Sequence, residues 1–325
     1  MLHGIERDLL PFQRGFSQAD IFACLEKLKR VQGIELAGLI SIHFTKGKGS
    51  AAPLFALNPE QLERCNGFLS ALSQLDSIVP LPDLHCILCV SSAFDRPLLL
   101  RETSVPILSV SKERYNRKVV LIPRLWKEER EILFPHISFN WNEKIEKALW
   151  RGSPTDGPYG FFDWDCRPRA RLALSARHHN ALIDAAFIAS TALNAYMTQW
   201  LKNLHLFSSF IPPEQQATYK YLISLDGKSS SSSFEWQLFS QSLIFKATSS
   251  RIEWFYHALL PGVHFIAFTP NGQDVIEKIL WAKTHDREAR EIAEAGYFFA
   301  MHNLLDEDAF VYLHLLLHQY AKLLR

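Results

Sequence analysis

The chain has 325 residues, of which 48% are hydrophobic and 21% charged, and its formal net charge is +1. This composition is ordinary for a globular protein, the near-neutral charge argues against a broad nucleic-acid-binding surface, and the length exceeds what one core usually fills. No apolar run reaches the roughly 20 residues of a membrane span, and residues 1–16 lack the apolar stretch of a signal peptide, so we expect a cytoplasmic protein.

The first 125 residues alternate between helical and strand-like patterns. Apolar side chains recur at helical spacing over 18–31 and 53–75. Short apolar runs predict strands over 36–44, 84–90, 106–111 and 119–122. The run 84–90 is continuous, as expected for a strand that is buried on both faces of a parallel sheet. The alternation predicts an α/β fold.

An aromatic and charged stretch, 126–150, separates these elements from a second series, and we interpret it as the link between two lobes. Beyond it, 182–187 is a short apolar segment, and apolar runs predict strands over 219–225, 242–247 and 263–268. Three helices are expected at the end of the chain, over 273–283, 286–302 and 306–324. The last of them has a broad apolar face, as a helix packed on a core has.

A serine-rich loop follows the predicted strand 219–225. Its serines include Ser230, Ser231, Ser232 and Ser233. Gly227 lets the backbone turn tightly, and Ser232 with Glu235 three residues later fits a capping box, so a helix is expected to begin near Ser233. The free N–H groups at a helix start bind anions, which makes the loop a candidate phosphate site. A purely structural loop before a capped helix explains the same residues.

A second candidate phosphate ligand is Arg151, in the sequence Trp-Arg-Gly-Ser at 150–153. A guanidinium binds phosphate through two parallel hydrogen bonds. Gly152 would allow close approach of the backbone, and Ser153 adds a hydroxyl donor. The alternative is a surface turn in which Arg151 is held by a salt bridge.

Asp95 is a candidate general base. It follows the predicted buried strand 84–90 and precedes Pro97. Ligand sites in open α/β sheets gather at the carboxyl ends of the strands, where an aspartate could take a proton from a substrate. The alternative is an Asx turn before the proline, with a structural role alone.

Two acidic or histidine patterns have ordinary structural explanations. Asp163 and Asp165 form the D-x-D pattern that binds a metal and a diphosphate in one class of sugar transferases, but they lie in an aromatic loop rather than after an apolar strand. His178 and His179, with Asp184, resemble a metal cluster, but adjacent histidines on a helix point in different directions. No metal site is therefore expected.

The cysteines agree with a reducing compartment. There are five, an odd number, and they are scattered along the chain. Cys86 and Cys89 have the spacing of a redox motif, but they lie in the apolar run 84–90, where two thiols in a buried strand are the simpler explanation.

Several segments, taken in order, resemble glycosyltransferase family 90. Trp-Arg-Gly-Ser at 150–153 is followed by Tyr-Lys-Tyr-Leu-Ile-Ser-Leu-Asp-Gly at 219–227, by the serine loop, and by Ser-Leu-Ile-Phe-Lys at 242–246. Further similar segments lie on both sides, at 81–83, 95–97, 106–112, 253–256, 263–266 and from 274 onward. Each piece is weak alone, but six in the right order over about residues 80–325 make the resemblance specific.

The resemblance implies a GT-B architecture, in which two Rossmann-like lobes face each other across a cleft. The acceptor lobe would span residues 1–140 and the donor lobe 141–325, with the C-terminal helices packing back toward the first lobe. The family includes protein O-glucosyl- and O-xylosyltransferases, fungal capsule-associated proteins and bacterial lipopolysaccharide-modifying enzymes. It implies a UDP-sugar as donor substrate, inversion at the anomeric carbon, and no metal or other cofactor.

The resemblance also implies roles for particular residues. Asp95 matches the aspartate proposed as the base that deprotonates the acceptor hydroxyl. Arg151 and Ser153 match residues at the donor diphosphate, and the loop 229–233 with the following helix matches a second contact to it. Glu253 lies where it could contact the ribose.

One position departs from the family pattern. Many relatives carry an arginine facing the diphosphate at the position that aligns with Ser233. Losing a cation there is expected to remove about 2–4 kcal/mol of transition-state stabilisation. Lys228 and Lys246 are candidates to replace the charge, and Lys246 is included in the predicted donor site.

The sequence therefore predicts an inverting, metal-independent glycosyltransferase that moves a glucose- or xylose-type sugar from a UDP-sugar to a hydroxyl. The acceptor is expected to be a glycan, a lipid-linked glycan or a protein, with lipopolysaccharide or surface-glycan synthesis as the leading context. We expect the cytoplasm or the inner membrane face as its location, which leaves peripheral membrane contact open, and no nucleic-acid partner. The alternatives are a catalytically impaired glycan- or nucleotide-binding homologue, motivated by Ser233, and an effector that glycosylates a protein.

Overall fold

The computed structural model describes residues 2–31, 38–91, 101–125 and 140–325. Within them the α-helices are, in chain order, α1 (Leu2–Leu9), α2 (Gln18–Leu28), α3 (Pro59–Ile78), α4 (Pro168–His178), α5 (Ala195–Asn203), α6 (Pro213–Gln216), α7 (Ser233–Leu238), α8 (Val275–Thr284), α9 (Asp286–Asn303) and α10 (Asp306–Ala321). The strands are β1 (Leu39–Thr45), β2 (Lys48–Pro53), β3 (Leu84–Cys89), β4 (Ile107–Ser109), β5 (Lys112–Glu113), β6 (Val119–Leu121), β7 (Ile145–Gly152), β8 (Ile183–Phe187), β9 (Tyr219–Ser224), β10 (Leu243–Ala247), β11 (Arg251–Ile252) and β12 (Ile266–Phe268).

The chain folds into two compact units. The first contains Met1–Glu131, Ser250–His257 and Leu305–Arg325, and the second contains Ile132–Ser249 and Ala258–Leu304. The last helix, α10, therefore belongs to the first unit. The domain limits predicted from the sequence, 1–140 and 141–325, stay predictions.

The first unit is built on a five-stranded mixed sheet in the order β2-β1-β3-β4-β6. Strand β1 is antiparallel to β2 and β3, whereas β3, β4 and β6 run parallel. Helix α10 packs in this unit, because the Tyr312 hydroxyl donates to the carbonyl of Leu121 at 3.3 Å and the Tyr320 hydroxyl donates to that of His85 at 3.1 Å. Its buried residues recur at the helical spacing that the sequence predicts.

Most elements predicted for this region are confirmed, with three differences. The helix predicted over 53–75 begins at Pro59, because Asn58 caps it by accepting from the N–H of Gln61 at 2.8 Å. Residues Lys48–Pro53 instead form the exposed strand β2, which the apolar pattern did not reveal. The strand predicted over 84–90 is fully buried as β3, but one of its two neighbours is antiparallel.

The second unit is built on a parallel sheet in the order β12-β10-β9-β7-β8. Numbered along the chain from β7, this is the 5-4-3-1-2 order of a doubly wound fold. The order reverses between β7 and β9, so their connections leave in opposite directions. Such a switch point leaves a crevice at the carboxyl ends of the two strands.

The sequence predicted the strands β9, β10 and β12 and the helices α8 to α10, and the structure confirms them; the short apolar segment at 182–187 forms the strand β8. It missed β7, most of which lies in the stretch interpreted as a link, and the helices α4, α5 and α6. The predicted α/β class is confirmed, and two α/β units are what a GT-B architecture requires. Among the described residues, no helix is both long and apolar enough to span a bilayer.

Candidate functional site

The carboxyl ends of β7 and β9 lie side by side at the switch point of the second unit. The two strands pair in parallel register, with Leu149 opposite Leu222. Strand β7 ends at Gly152 and β9 at Ser224. The loops that follow, 153–167 and 225–232, therefore border the crevice where open α/β sheets bind ligands.

Arg169, the second residue of α4, joins these two loops. Its Nη1 donates to the Ser153 carbonyl at 2.6 Å and to Thr155 Oγ1 at 3.0 Å. Its Nη2 donates to the Leu225 carbonyl at 2.7 Å, and its Nε donates to the Asp226 carbonyl at 3.1 Å. Burial lowers the pKa of Arg169, but a guanidinium titrates so far above neutrality that it stays charged. One buried cation thus holds the ends of β7 and β9 together.

Gly227 is needed because another side chain passes close to it. A Cβ at this position would lie 2.5 Å from Thr155 Oγ1 and 2.9 Å from Arg169 Nη2. Its φ lies outside the left-handed region that favours glycine, so the requirement is for space rather than for a tight turn. Glycine at 152 is required for space as well, since a Cβ added there would lie 2.6 Å from the Trp150 ring.

Asp226 organises the serine loop. Its Oδ1 accepts from Lys246 Nζ at 2.6 Å and from the N–H of Ser231 at 3.0 Å. Ser231 Oγ in turn lies 2.8 Å from Ser233 Oγ. Lys246 is 4% exposed, so its ammonium fixes the loop from within rather than facing solvent. Asp226 Oδ2 is buried and has no hydrogen-bond partner in the described part of the chain.

The start of the helix after the loop is confirmed, but the predicted capping box is wrong. Helix α7 begins at Ser233, with Ser232 as the N-cap. The backbone of Ser232 is helical rather than extended, at φ −62° and ψ −24°, and its side chain makes no capping hydrogen bond. Ser230 and Ser231 are buried, and Ser232 is exposed. The exposed Lys228 makes no hydrogen bond or ion pair with any residue that the structure describes.

Arg151 forms an ion pair inside the second unit. Its Nη1 lies 2.9 Å from Asp184 Oδ1 on the adjacent strand β8, and its Nη2 donates to Asp184 Oδ2 at 2.9 Å. The Arg151 side chain is 4% exposed. Arg151 and Gly152 are the last residues of β7 rather than part of a turn, which corrects that interpretation. The salt-bridged arginine considered from the sequence is therefore present, and a role for Arg151 at the donor diphosphate stays a prediction.

One predicted site residue belongs to the first unit, and another lies outside the described residues. Glu253 belongs to the first unit, where it is 2% exposed and accepts from Arg124 Nη2 at 2.9 Å and from Arg124 Nε at 3.3 Å. Its predicted ribose contact stays a prediction. Asp95, the predicted base, lies outside the described residues.

The D-x-D carboxylates have structural partners of their own. Asp163 Oδ2 accepts from Arg167 Nη2 at 2.7 Å, and Asp163 Oδ1 accepts from the N–H of Gly160 at 3.0 Å. Asp165 lies in the short turn that precedes α4. Over residues 2–31, 38–91, 101–125 and 140–325, no three side chains of His, Cys, Asp or Glu come together in the manner of a metal site.

The sequence did not point to Arg169, Thr155 or Asp226 as site residues. A usable pattern was present for Arg169, because Pro168 marks a first helical position and helices of a parallel sheet begin at the carboxyl edge. An arginine one residue into such a helix is therefore expected beside the crevice. The role of Asp226 depends on its pairing with Lys246, twenty residues away, which no local pattern shows.

A family profile described as "Glycosyl transferase family 90" matches residues 120–325, more than half of the chain. The chain belongs to this family. The resemblance seen in the sequence motifs is thereby confirmed. The matched part includes the whole parallel sheet of the second unit and the loops of the crevice.

Two relatives illustrate the extent of the similarity. Protein O-glucosyltransferase 2 of Danio rerio is 34% identical over 186 residues, which are 56% of this chain and 34% of the relative. The match thus spans about a third of the length of that protein. Protein O-glucosyltransferase 1 of Homo sapiens is 26% identical over 348 residues, which cover 99% of this chain and 80% of the relative.

Among solved structures, Anabaena Alr3699/HepE in complex with UDP-glucose is similar to this chain with a TM-score of 0.44 and 10% identity. The similarity covers 69% of this chain and 65% of the Anabaena protein. A likeness of this size carries no inference about a ligand of this chain.

Proposed function

We propose that this chain is an inverting glycosyltransferase that moves a sugar of the glucose or xylose type from a UDP-sugar to an acceptor hydroxyl. Membership of family 90 supports a sugar transferase, and the names of the relatives favour an O-linked glucose-type product. The observation that carries the proposal is the crevice at the β7–β9 switch point, which is bordered by family-matched loops.

The donor diphosphate is proposed to lie beside the loop 227–233. The Arg169 guanidinium packs close to Gly227, and Asp226 Oδ1 accepts from the N–H of Ser231. These contacts order the loop without a ligand. A preorganised site loses less conformational entropy when a ligand binds, so more of the interaction free energy appears as affinity. Ser232 and Lys228 are the exposed polar groups of the loop that can reach a ligand.

Negative charge grows on the UDP oxygens as the glycosidic bond breaks. Three cations near the crevice are already engaged: Arg169 by four oxygens, Lys246 by Asp226 and Arg151 by Asp184. Lys228 is exposed and makes no such contact with the described residues. We therefore assign to Lys228 the charge that many relatives place at the position of Ser233, with loop N–H groups as further donors.

Asp95 is proposed as the base that removes the acceptor proton. In an inverting reaction the acceptor oxygen attacks the anomeric carbon from the side opposite UDP, so the proton leaves as the new C–O bond forms. A carboxylate near the attacking hydroxyl suits this step. The proposal rests on the match of residues 95–97 to the family pattern.

Transfer is proposed to need no metal. Cationic side chains and N–H groups can stabilise the leaving diphosphate in place of a metal ion. The D-x-D alternative would need Asp163 to leave Arg167 and the N–H of Gly160. Activity is expected to survive EDTA, whereas complete loss that Mn²⁺ restores would favour the D-x-D alternative.

The test is UDP release from a panel of UDP-sugars with sugar-alcohol, glycan and peptide acceptors. We expect turnover with at least one donor, a fall of at least 100-fold in Asp95→Asn, and full activity in the matched control Asp165→Asn. Full activity of Asp95→Asn would remove Asp95 as the base. Sensitivity of Asp165→Asn would support the metal alternative.

The acceptor is proposed to be a surface-glycan precursor such as lipopolysaccharide, handled in the cytoplasm or at the inner membrane face. Turnover only with peptide acceptors would instead favour an effector that glycosylates a protein. The second candidate is an impaired homologue that binds nucleotide or glycan, which Ser233 favours because a cation is absent at its position. UDP binding without turnover of any donor would support that candidate.

A further inference from the structure

A basic pocket lies in the first unit, between the start of the chain and the turn that joins β5 to β6. Its volume is about 670 Å³. Four of its lining side chains are cationic: Arg7, Lys112, Arg114 and Arg117. The one carboxylate among its lining residues is Asp8, so the pocket has a surplus of three positive charges in a chain whose net charge is +1.

The floor of the pocket is already neutralised. Asp8 Oδ1 lies 2.7 Å from Lys112 Nζ, and both side chains are almost fully buried. Asp8 Oδ2 accepts from the N–H of Leu121 at 3.2 Å, and Lys112 Nζ also donates to the Val119 carbonyl at 2.9 Å. These contacts join α1 to β5 and β6. Arg7 Nε also lies 3.6 Å from Asp8 Oδ1, so the charges without a carboxylate partner in the described residues are those of Arg114 and Arg117.

Arg114 and Arg117 are available for a ligand. Both are exposed, and their side chains make no hydrogen bond or ion pair with the residues that the structure describes. Like charges on one short exposed turn repel each other weakly in water, and an anion bound between them would remove that repulsion. Guanidinium groups bind phosphate oxygens in pairs, which makes phosphate the best match.

The turn that carries these arginines is fixed by its own backbone. The N–H of Asn116 donates to the Glu113 carbonyl at 2.8 Å, which closes the turn around Arg114 and Tyr115. Asn116 Oδ1 accepts from the N–H groups of Lys118 at 2.9 Å and of Val119 at 3.2 Å. The arginines are thus presented on a preorganised turn, which lowers the entropic cost of binding.

Apolar groups border the charges. Tyr115 is 84% exposed and Leu10 is 58% exposed, and both line the pocket together with Pro11. Cationic groups beside exposed aromatic and aliphatic ones suit a phosphate that is attached to a larger molecule. All lining residues precede residue 120, where the match to the family profile begins, so the pocket lies outside the family-matched region.

We propose that this pocket binds a phosphate group, carried either by a lipid headgroup or by a soluble ligand. Its lining residues all belong to the first unit, whereas those of the proposed donor crevice belong to the second. Bound phosphate would hold a phosphorylated acceptor, or the surface of an anionic membrane, against the first unit.

The experiment uses two probes on the full chain: inorganic phosphate by calorimetry, and sedimentation with vesicles of phosphatidylglycerol or of phosphatidylcholine. The test variant is Arg114→Ala/Arg117→Ala. The matched control is Arg287→Ala/Arg290→Ala, which removes two exposed charges from the second unit. Each arginine near an anionic surface is expected to change vesicle partitioning about 5-fold, so the test variant should lose about 25-fold and the control less than 2-fold.

The outcomes separate the two sources of phosphate. Binding of inorganic phosphate that the test variant loses supports a soluble ligand, and binding confined to phosphatidylglycerol vesicles supports a headgroup. The proposal is overturned if neither probe binds, if the control loses as much as the test variant, or if phosphate binding is lost in Lys228→Met instead. Failure of UDP turnover would contradict the donor proposal and leave this one standing.

Discussion

Removing the Lys246 ammonium is expected to destabilise the second unit strongly. Lys246 Nζ lies 2.6 Å from Asp226 Oδ1, and the two side chains are 5% and 13% exposed. At this distance the attraction between the charges is about 6 kcal/mol for an effective dielectric constant of about 20. In Lys246→Met the carboxylate stays in place with the Ser231 N–H as its donor. We expect the free energy of unfolding to fall by about 3–5 kcal/mol, the usual cost of leaving one buried charge of a pair.

The double variant Asp226→Asn/Lys246→Met tests the cause of that loss. The asparagine amide oxygen can still accept from the N–H of Ser231, and neither charge is left buried alone. We therefore expect the double variant to recover about 2–4 kcal/mol relative to Lys246→Met. A structural defect caused by the methionine side chain itself would not be recovered.

Urea unfolding followed by tryptophan fluorescence measures these differences, since six of the eight tryptophans lie in the second unit. The matched control is Lys283→Met, which breaks a pair with Glu146 at 3.2 Å whose side chains are 30% and 45% exposed. An exposed pair of this kind contributes at most about 1 kcal/mol. The reasoning is refuted if Lys246→Met costs no more than Lys283→Met, or if the double variant is as unstable as the single one.

Three further predictions concern the donor and a buried histidine. Lys228→Met should weaken UDP binding about 10-fold by calorimetry, because it removes the charge-assisted hydrogen bond that we propose between Lys228 and the diphosphate. Arg151→Met should weaken UDP binding less than 3-fold, since the Arg151 guanidinium is paired with Asp184. A larger loss in Arg151→Met than in Lys228→Met would favour Arg151 as the diphosphate ligand. His85 is fully buried, and burial together with the neighbouring His43 lowers its pKa to about 4. The unfolded chain therefore binds the extra proton first, so the first unit should lose up to about 1.4 kcal/mol of stability per pH unit as the pH falls from about 6.5 to 4. NMR titration of the His85 ring checks the pKa, and a midpoint near 6.5 would contradict it.

The sequence predicted those parts of the fold in which burial is continuous along the chain. Every residue of β3, β4, β6 and β10 is buried, so an apolar run marks each of them. Strand β7 was missed because only three of its eight residues are buried, and its charged residues hide the pattern. Helix α4 was missed for a related reason: its arginines, including the buried Arg169, interrupt the apolar spacing that marks a helix.

The candidate site was predictable only as far as its chemistry is local. Gly227 and the serines that follow it predicted a candidate phosphate loop at 227–233, and the structure places that loop at the switch point of the sheet. The partners of the cations could not be read from the sequence, because Asp226 lies 20 residues from Lys246 and Arg151 lies 33 residues from Asp184. A cation that a carboxylate of the fold engages has fewer donors left for a ligand. For that reason the sequence pattern favoured Arg151 as the diphosphate ligand, whereas the contacts favour Lys228, which the sequence offered only as a replacement for the charge missing at Ser233.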